Sequence, residues 1–235
     1  MKSFICLLSS VVLTALPAGA LGYSVGSYQS ARVLDKGQVS IGFGTGLLHM
    51  DEEGGYYENL YFVPDVWAHY GVRNGVEIGV SAVPFEAGID IKTQIFSNEK
   101  MSLAFAPHLG LSYEYYGSSG DYSSNVFGLF TAISLMLGAK AGERSEVVFS
   151  AKVLYDISFT HEEESVYEDG NESYHGYSEM ISIGGSLGFI LGSGDLSVIP
   201  EIGLYHTMNR SKSDGYSSHS EGTVIFPGVG VSILF

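Results

Sequence analysis

The chain has a single cysteine, Cys6, and it lies in an apolar run over residues 4–16. With Met1-Lys2 ahead of it and Ala18-Gly19-Ala20 behind, that run has the charged start, apolar centre and small-residue end of a secretory signal. Residues 1–20 are therefore expected to be cleaved. The stretch falls short of the roughly 20 apolar residues that span a bilayer, and Ser9, Ser10, Thr14 and Pro17 interrupt it. Without the leader no cysteine is left, which excludes a disulfide, a thiolate nucleophile and a cysteine metal site. Cys6 sits inside the run rather than just after it, so it is also misplaced for a lipid anchor. Long apolar runs are missing too: no later segment reaches the roughly 18 uninterrupted residues of a transmembrane helix. Positive charge is scarce, with 11 Lys and Arg against 26 Asp and Glu and a net charge of −15. Losing Lys2 with the leader takes the net charge to −16, and no nucleic acid is expected as a partner of so acidic a chain. A chain that is 45% apolar yet lacks such a helix can still cross a membrane as a closed barrel, where every backbone group is satisfied between strands.

What the sequence does have is alternation. From residue 38 onward apolar side chains recur at every second position in ten segments: 38–48, 61–72, 75–83, 87–96, 101–115, 126–139, 146–160, 179–191, 196–206 and 223–235. Ile89, Ile91 and Ile95 against Asp90, Lys92 and Gln94 is typical, and a period of two with charges between isoleucines is a strand and not a helix. The connections alternate as well. Residues 73–75, 97–100, 141–145 and 192–195 are tight turns with hairpin chemistry. Residues 49–60, 116–125, 161–178 and 207–222 read as longer links rich in acid, Tyr and Ser, with 84–86 a short exception. Short turns on one rim and long loops on the other are the pattern of transmembrane barrels.

The last segment is the most regular. Ile225, Pro227, Val229, Val231, Ile233 and Phe235 alternate with small or mixed residues up to a terminal Phe. It resembles the C-terminal signature of small bacterial outer-membrane β-barrel proteins. That resemblance implies a bacterial outer-membrane location, with Val229, Val231, Ile233 and Phe235 as the signal read by the outer-membrane assembly machinery. Ala31-x-x-Leu34-x-Lys36-Gly37 likewise resembles the run that feeds strand one in such chains. The expected architecture is all-β: a closed antiparallel up-and-down barrel of about ten strands, within a range of 8 to 12. It comprises a signal at 1–20, a periplasmic lead-in at 21–37 and the barrel at 38–235. Tyr70, Phe96, Phe149, Phe189 and Phe235 near one rim, and Tyr61, Tyr113, Tyr115 and Phe159 near the other, would form two aromatic girdles.

The face opposite the apolar one collects Asp65, His69, Glu77, Asp90, Lys92, His108, Glu114, Lys152, Asp156 and Glu201. Two readings suit them: a lumen-filling network of ion pairs and hydrogen bonds, or a narrow passage whose excess acid favours small cations or polar solutes. Inward Gly42, Gly44, Gly110, Gly128 and Gly188 leave space for a passage. Val126, Phe130, Met136, Leu154, Ile190 and Phe226 point the same way and would narrow it, or line a pocket for an apolar ligand.

Catalysis is not expected. Ten-stranded outer-membrane proteases of the omptin kind use Asp and His at the loop rim. Here the strand tops carry no Asp-Asp or Asp-x-His, and the residue two before His206 is Leu204. No cofactor is expected, and the acids of 161–172 match no calcium or zinc spacing. The expected partners are outer-membrane lipid, lipopolysaccharide and the assembly machinery. An extracellular partner at the acidic, Tyr-rich loops is the expected role, because loops on a rigid scaffold carry recognition.

Overall fold

The computed structural model describes residues 28–52, 59–117, 122–143, 145–166, 170–193, 195–213 and 216–235. The signal at 1–20, and 21–27 of the lead-in, lie outside the described residues, as does the side chain of Tyr61.

Ten strands form: β1 Val39–Glu52, β2 Asn59–Arg73, β3 Val76–Val83, β4 Glu86–Ser97, β5 Met101–Gly117, β6 Tyr122–Lys140, β7 Ser145–Val166, β8 Gly170–Ser193, β9 Leu196–Ser213 and β10 Tyr216–Leu234. Each pairs antiparallel with its sequence neighbour, and β1 closes on β10. The seam runs from Ser40↔Leu234 to Glu52↔Gly222, and Val39 and Phe235 exchange both backbone hydrogen bonds at its foot, at 3.1 and 2.8 Å. Following the register around the wall from Ser40 through His69, Gly79, Asp90, His108, Ala132, Leu154, Ser182, Thr207 and Gly222 leads back to β1 at Glu52. That twelve-residue stagger over ten strands tilts them by about 40° to the barrel axis.

The outer face is the apolar one. Ile89, Ile133, Ile202 and Leu204 are each more than half exposed, as lipid contact requires. Tyr70, Phe96, Phe149, Phe189 and Phe235 stand exposed toward one rim, and Tyr113, Tyr115 and Phe159 toward the other. The tight turns are where the sequence puts them: Asn74-Gly75 joins β2 to β3, with Gly75 at φ 78°, in the left-handed region such a turn needs.

The long links are a correction. Most of 161–178 and 207–222 is not loop, because β7 runs to Val166, β8 starts at Gly170, β9 runs to Ser213 and β10 starts at Tyr216. A strand of about 10 residues crosses the hydrocarbon, so β7 and β8, with 22 and 24 residues, continue beyond it, flanked by β6 up to Glu164 and by β9 from Gly176. The wall is uneven in consequence. β3 has 8 residues, and the β3–β4 turn at Pro84-Phe85 is the low point of the extracellular rim, flanked by β2 up to Asn59 and β5 up to Gly117.

Placing Lys at Leu135 or Ile183, on the lipid face, should cost about 2–4 kcal/mol. It should deplete the band that migrates differently without boiling in a membrane-fraction gel. Gly188→Ser should leave that band intact, because a Cβ on Gly188 meets nothing closer than 3.7 Å. Equal loss in both variants would show the two faces to be misassigned.

Candidate functional site

Alternation in the wall aims all ten polar residues named from the sequence into the lumen. Asp65, His69, Glu77, Asp90, Lys92, Glu114, Lys152 and Glu201 are buried, and His108 and Asp156 are half-buried. Two close pairs stand out among them. Lys92 Nζ lies 2.6 Å from Glu77 Oε1, and His69 Nε2 lies 3.3 Å from Asp90 Oδ2. The Lys152 ammonium faces the charges of Glu201, Asp65 and Asp90. Glu86 shares the extracellular half with Asp156, Glu114 and Asp65.

The residues between Tyr28 and Lys36 occupy the periplasmic mouth as a strap held by side chains of the wall. The Leu34 amide donates to Glu77 Oε2 at 2.7 Å, and the Ser30 carbonyl accepts from Lys92 at 3.1 Å. Ser30 Oγ donates to Glu146 Oε2 at 2.5 Å while Ser102 Oγ donates to Oε1 of the same carboxylate at 2.9 Å. Gln94 imitates a strand neighbour, accepting from the Val33 amide at 3.0 Å and donating to the Ala31 carbonyl at 3.2 Å. Gln29 reaches His69 at 3.2 Å. A segment without a ladder of its own must place its amides somewhere, and carboxylates are strong acceptors.

Above the strap the lumen is filled with rings. Tyr28 stacks on Trp67 at 5.5 Å and 12° and leans on Phe226 at 6.3 Å. Its amide donates to Glu201 Oε2 at 2.8 Å and its hydroxyl to the Thr45 carbonyl at 3.1 Å. Burial, then the charges of Glu201 and Asp65, pushes the Tyr28 phenol far above its usual pKa. The inward glycines explain how the rings fit. A Cβ on Gly42 would strike Trp67, one on Gly46 would strike Phe226, and one on Gly110 would strike Phe130. The space these glycines leave is thus occupied by aromatic side chains. Leu154, Met180 and Ile199 complete the apolar filling. Of the remaining spaces, one of about 180 Å³ opens beside Tyr28, Trp67 and Ile199. Another, of about 40 Å³, lies between His108, Phe130 and Lys152. Gln29 lines both.

Sequence reasoning missed Glu86, Glu146 and Tyr28 as lumen groups. The inward parity of β7, which Lys152 and Asp156 share, was signal enough for Glu146. Nothing in the pattern marks the lead-in as entering the barrel, since its contacts with the wall of the lumen lie 17 to 173 residues away in sequence.

Removing one partner of a buried pair costs about 3–5 kcal/mol. Lys92→Met should therefore lower the temperature at which the unboiled gel band converts to the unfolded one. The double variant Glu77→Gln, Lys92→Met should recover much of the loss, and an unchanged midpoint in the single variant would show that the pair does not hold the strap.

No protein-family model matches the chain, and no curated relative is similar to it in sequence. Its fold is similar to that of the outer membrane protease OmpT from Escherichia coli. The two are 12% identical, with 88% of this chain and 100% of that one covered and a TM-score of 0.52. The attachment invasion locus protein of Yersinia pestis is 12% identical over 85% and 99% of the two chains, with a TM-score of 0.34. Neisserial surface protein A is 11% identical over 84% and 99%, with a TM-score of 0.38. At such identities the likeness is one of fold. The likeness to the protease, with the closed sheet and its apolar exterior, gives the chain the fold of a transmembrane β-barrel.

Proposed function

We propose that this protein is a filled outer-membrane barrel that acts through its extracellular face, as a surface-interaction protein without enzymatic or conducting activity. The observation that carries the reading is the strap and ring stack in the periplasmic half of the lumen, which leaves little free cross-section for a solute. Function then falls to what projects from the membrane. The β7–β10 ribbons offer acid, imidazole and aromatic groups on their outer surface. His161 and His175 stack at 4.7 Å, and Glu221 lies 3.0 Å from His219 and 4.0 Å from His206. Tyr177 is exposed beside them. Tyrosine on a rigid support binds with little entropy loss.

Exposed Arg210 and Lys212 stand above the outer aromatic girdle, a suitable height for the phosphates of lipopolysaccharide. Val229, Val231, Ile233 and Phe235 form the outer face of the closing strand, where the assembly machinery would read them. The His69–Asp90 pair does not support proteolysis, because both side chains are buried and Gln29 caps the imidazole.

In a planar bilayer the purified protein should be silent, and stable conductance steps would favour the cation passage instead. Deleting residues 162–172 should abolish attachment of cells displaying the protein to protein-coated surfaces while the unboiled gel shift persists. Retained attachment would move the interaction off the β7–β8 ribbon.

A further inference from the structure

The strap leans to one side of the lumen. The described hydrogen bonds of residues 29–34 to the wall run to His69, Glu77, Lys92, Gln94 and Glu146, and the Arg32 guanidinium reaches the β4–β5 turn. On the side of β9, β10 and β1 the inward residues at the same end are Ser197, Ser232 and Ser40, all half-buried. Ser40 and Ser232 bond to each other at 2.9 Å. Deeper in the lumen, a Cβ on Gly42, Gly44, Gly46, Gly228 or Gly230 would strike Tyr28, Trp67 or Phe226. Beside the serines the space of about 180 Å³ is left instead. It extends from Asp195 and Leu234 at the periplasmic rim to Trp67, Tyr28 and Ile199, which are buried.

The lining selects the occupant. The charges buried in it are already answered: Lys92 lies 2.6 Å from Glu77 and 3.1 Å from the Ser30 carbonyl, and His69 lies 3.3 Å from Asp90. Asp195 stands exposed at the rim, in water. A charged ligand would lose its hydration and gain no counter-ion, which is unfavourable. One buried atom does await a partner. Gln29 borders the space with its Nε2 held 3.2 Å from His69, and its Oε1 has no partner among the described residues. An unanswered buried acceptor is costly and is satisfied by a single donor. Trp67 and Tyr28, stacked within 12° of parallel, supply aromatic walls, and aromatic pairs gain more than their area alone provides. An apolar cavity of about 150 Å³ holds one benzene ring, so this space holds one ring with a small substituent.

We propose that the space between the strap and the β9–β10–β1 wall is a binding site, entered from the periplasm, for a small neutral phenol whose ring lies against Trp67 and Tyr28 and whose hydroxyl donates to Gln29 Oε1. The site is at the opposite end of the barrel from residues 162–172 and does not rest on the surface-interaction reading.

The test is titration of the full-length protein in detergent with p-cresol and with anisole, its isomer without an O–H donor. Binding is followed by calorimetry and by the fluorescence of Trp67, the one tryptophan of the chain. Saturable binding of p-cresol is expected, about tenfold or more tighter than that of anisole. Gln29→Leu should erase that preference, and Ser197→Phe, which puts a ring into the space, should abolish binding of both. No saturable binding, equal affinity for the two isomers in the unaltered protein, or binding that Ser197→Phe leaves unchanged would each overturn the proposal. The variants are compared once the unboiled gel shift shows them folded, and Ser232→Phe takes the place of Ser197→Phe if the latter does not fold.

Discussion

In hydrocarbon no water is present to take a backbone hydrogen bond, so each amide and carbonyl of the wall must find its partner in a neighbouring strand. That constraint brings β10 back to β1 and leaves no free edge. It also fixes the size of the hole, because strand number and stagger together set the width of a closed barrel. The contents of the barrel follow from this. Glycines on β1 and β10 let rings lie flat against the wall, Trp67 and Phe226 fill from two sides, and the chain's own Tyr28 completes the stack.

Polar groups in that interior are tolerated where something answers them. The strap does so for Glu77, Glu146 and Glu201 with backbone amides and a hydroxyl, and Lys92 of β4 adds an ammonium at Glu77. These contacts gather at the periplasmic end of the lumen, where the strap crosses it. The strap and the ring stack thus occupy the periplasmic part of the lumen side by side.

How much of this was legible depends on which solvent a residue meets. Wherever lipid lies on one side, every second side chain must be apolar, and the alternation of Ile89, Ile91 and Ile95 or of Val229, Val231 and Ile233 announces strand, face and neighbour at once. Once β7–β10 rise out of the lipid, both faces meet water. Residues 161–166 and 170–178 then lose the pattern although the backbone ladder continues, so they read as loop. The inward polar set was legible by parity, from Asp65 to Glu201. Which of them meet the strap was not, because the segment that crosses in front of Glu77 and Lys92 leaves no mark on the alternation. Glu86 was hidden by its place beside a turn, where periodicity has no room to register.

The Tyr28 amide and the Glu201 carboxylate are 173 positions apart, which gives the strap a place in time as well as in space. Its acceptors stand on β3, β7 and β9, so its seat exists only after nearly the whole chain has entered the wall. Contacts of such long sequence separation form late. The first residues of the described chain to leave the ribosome are thus the last to settle, and their docking marks a finished barrel.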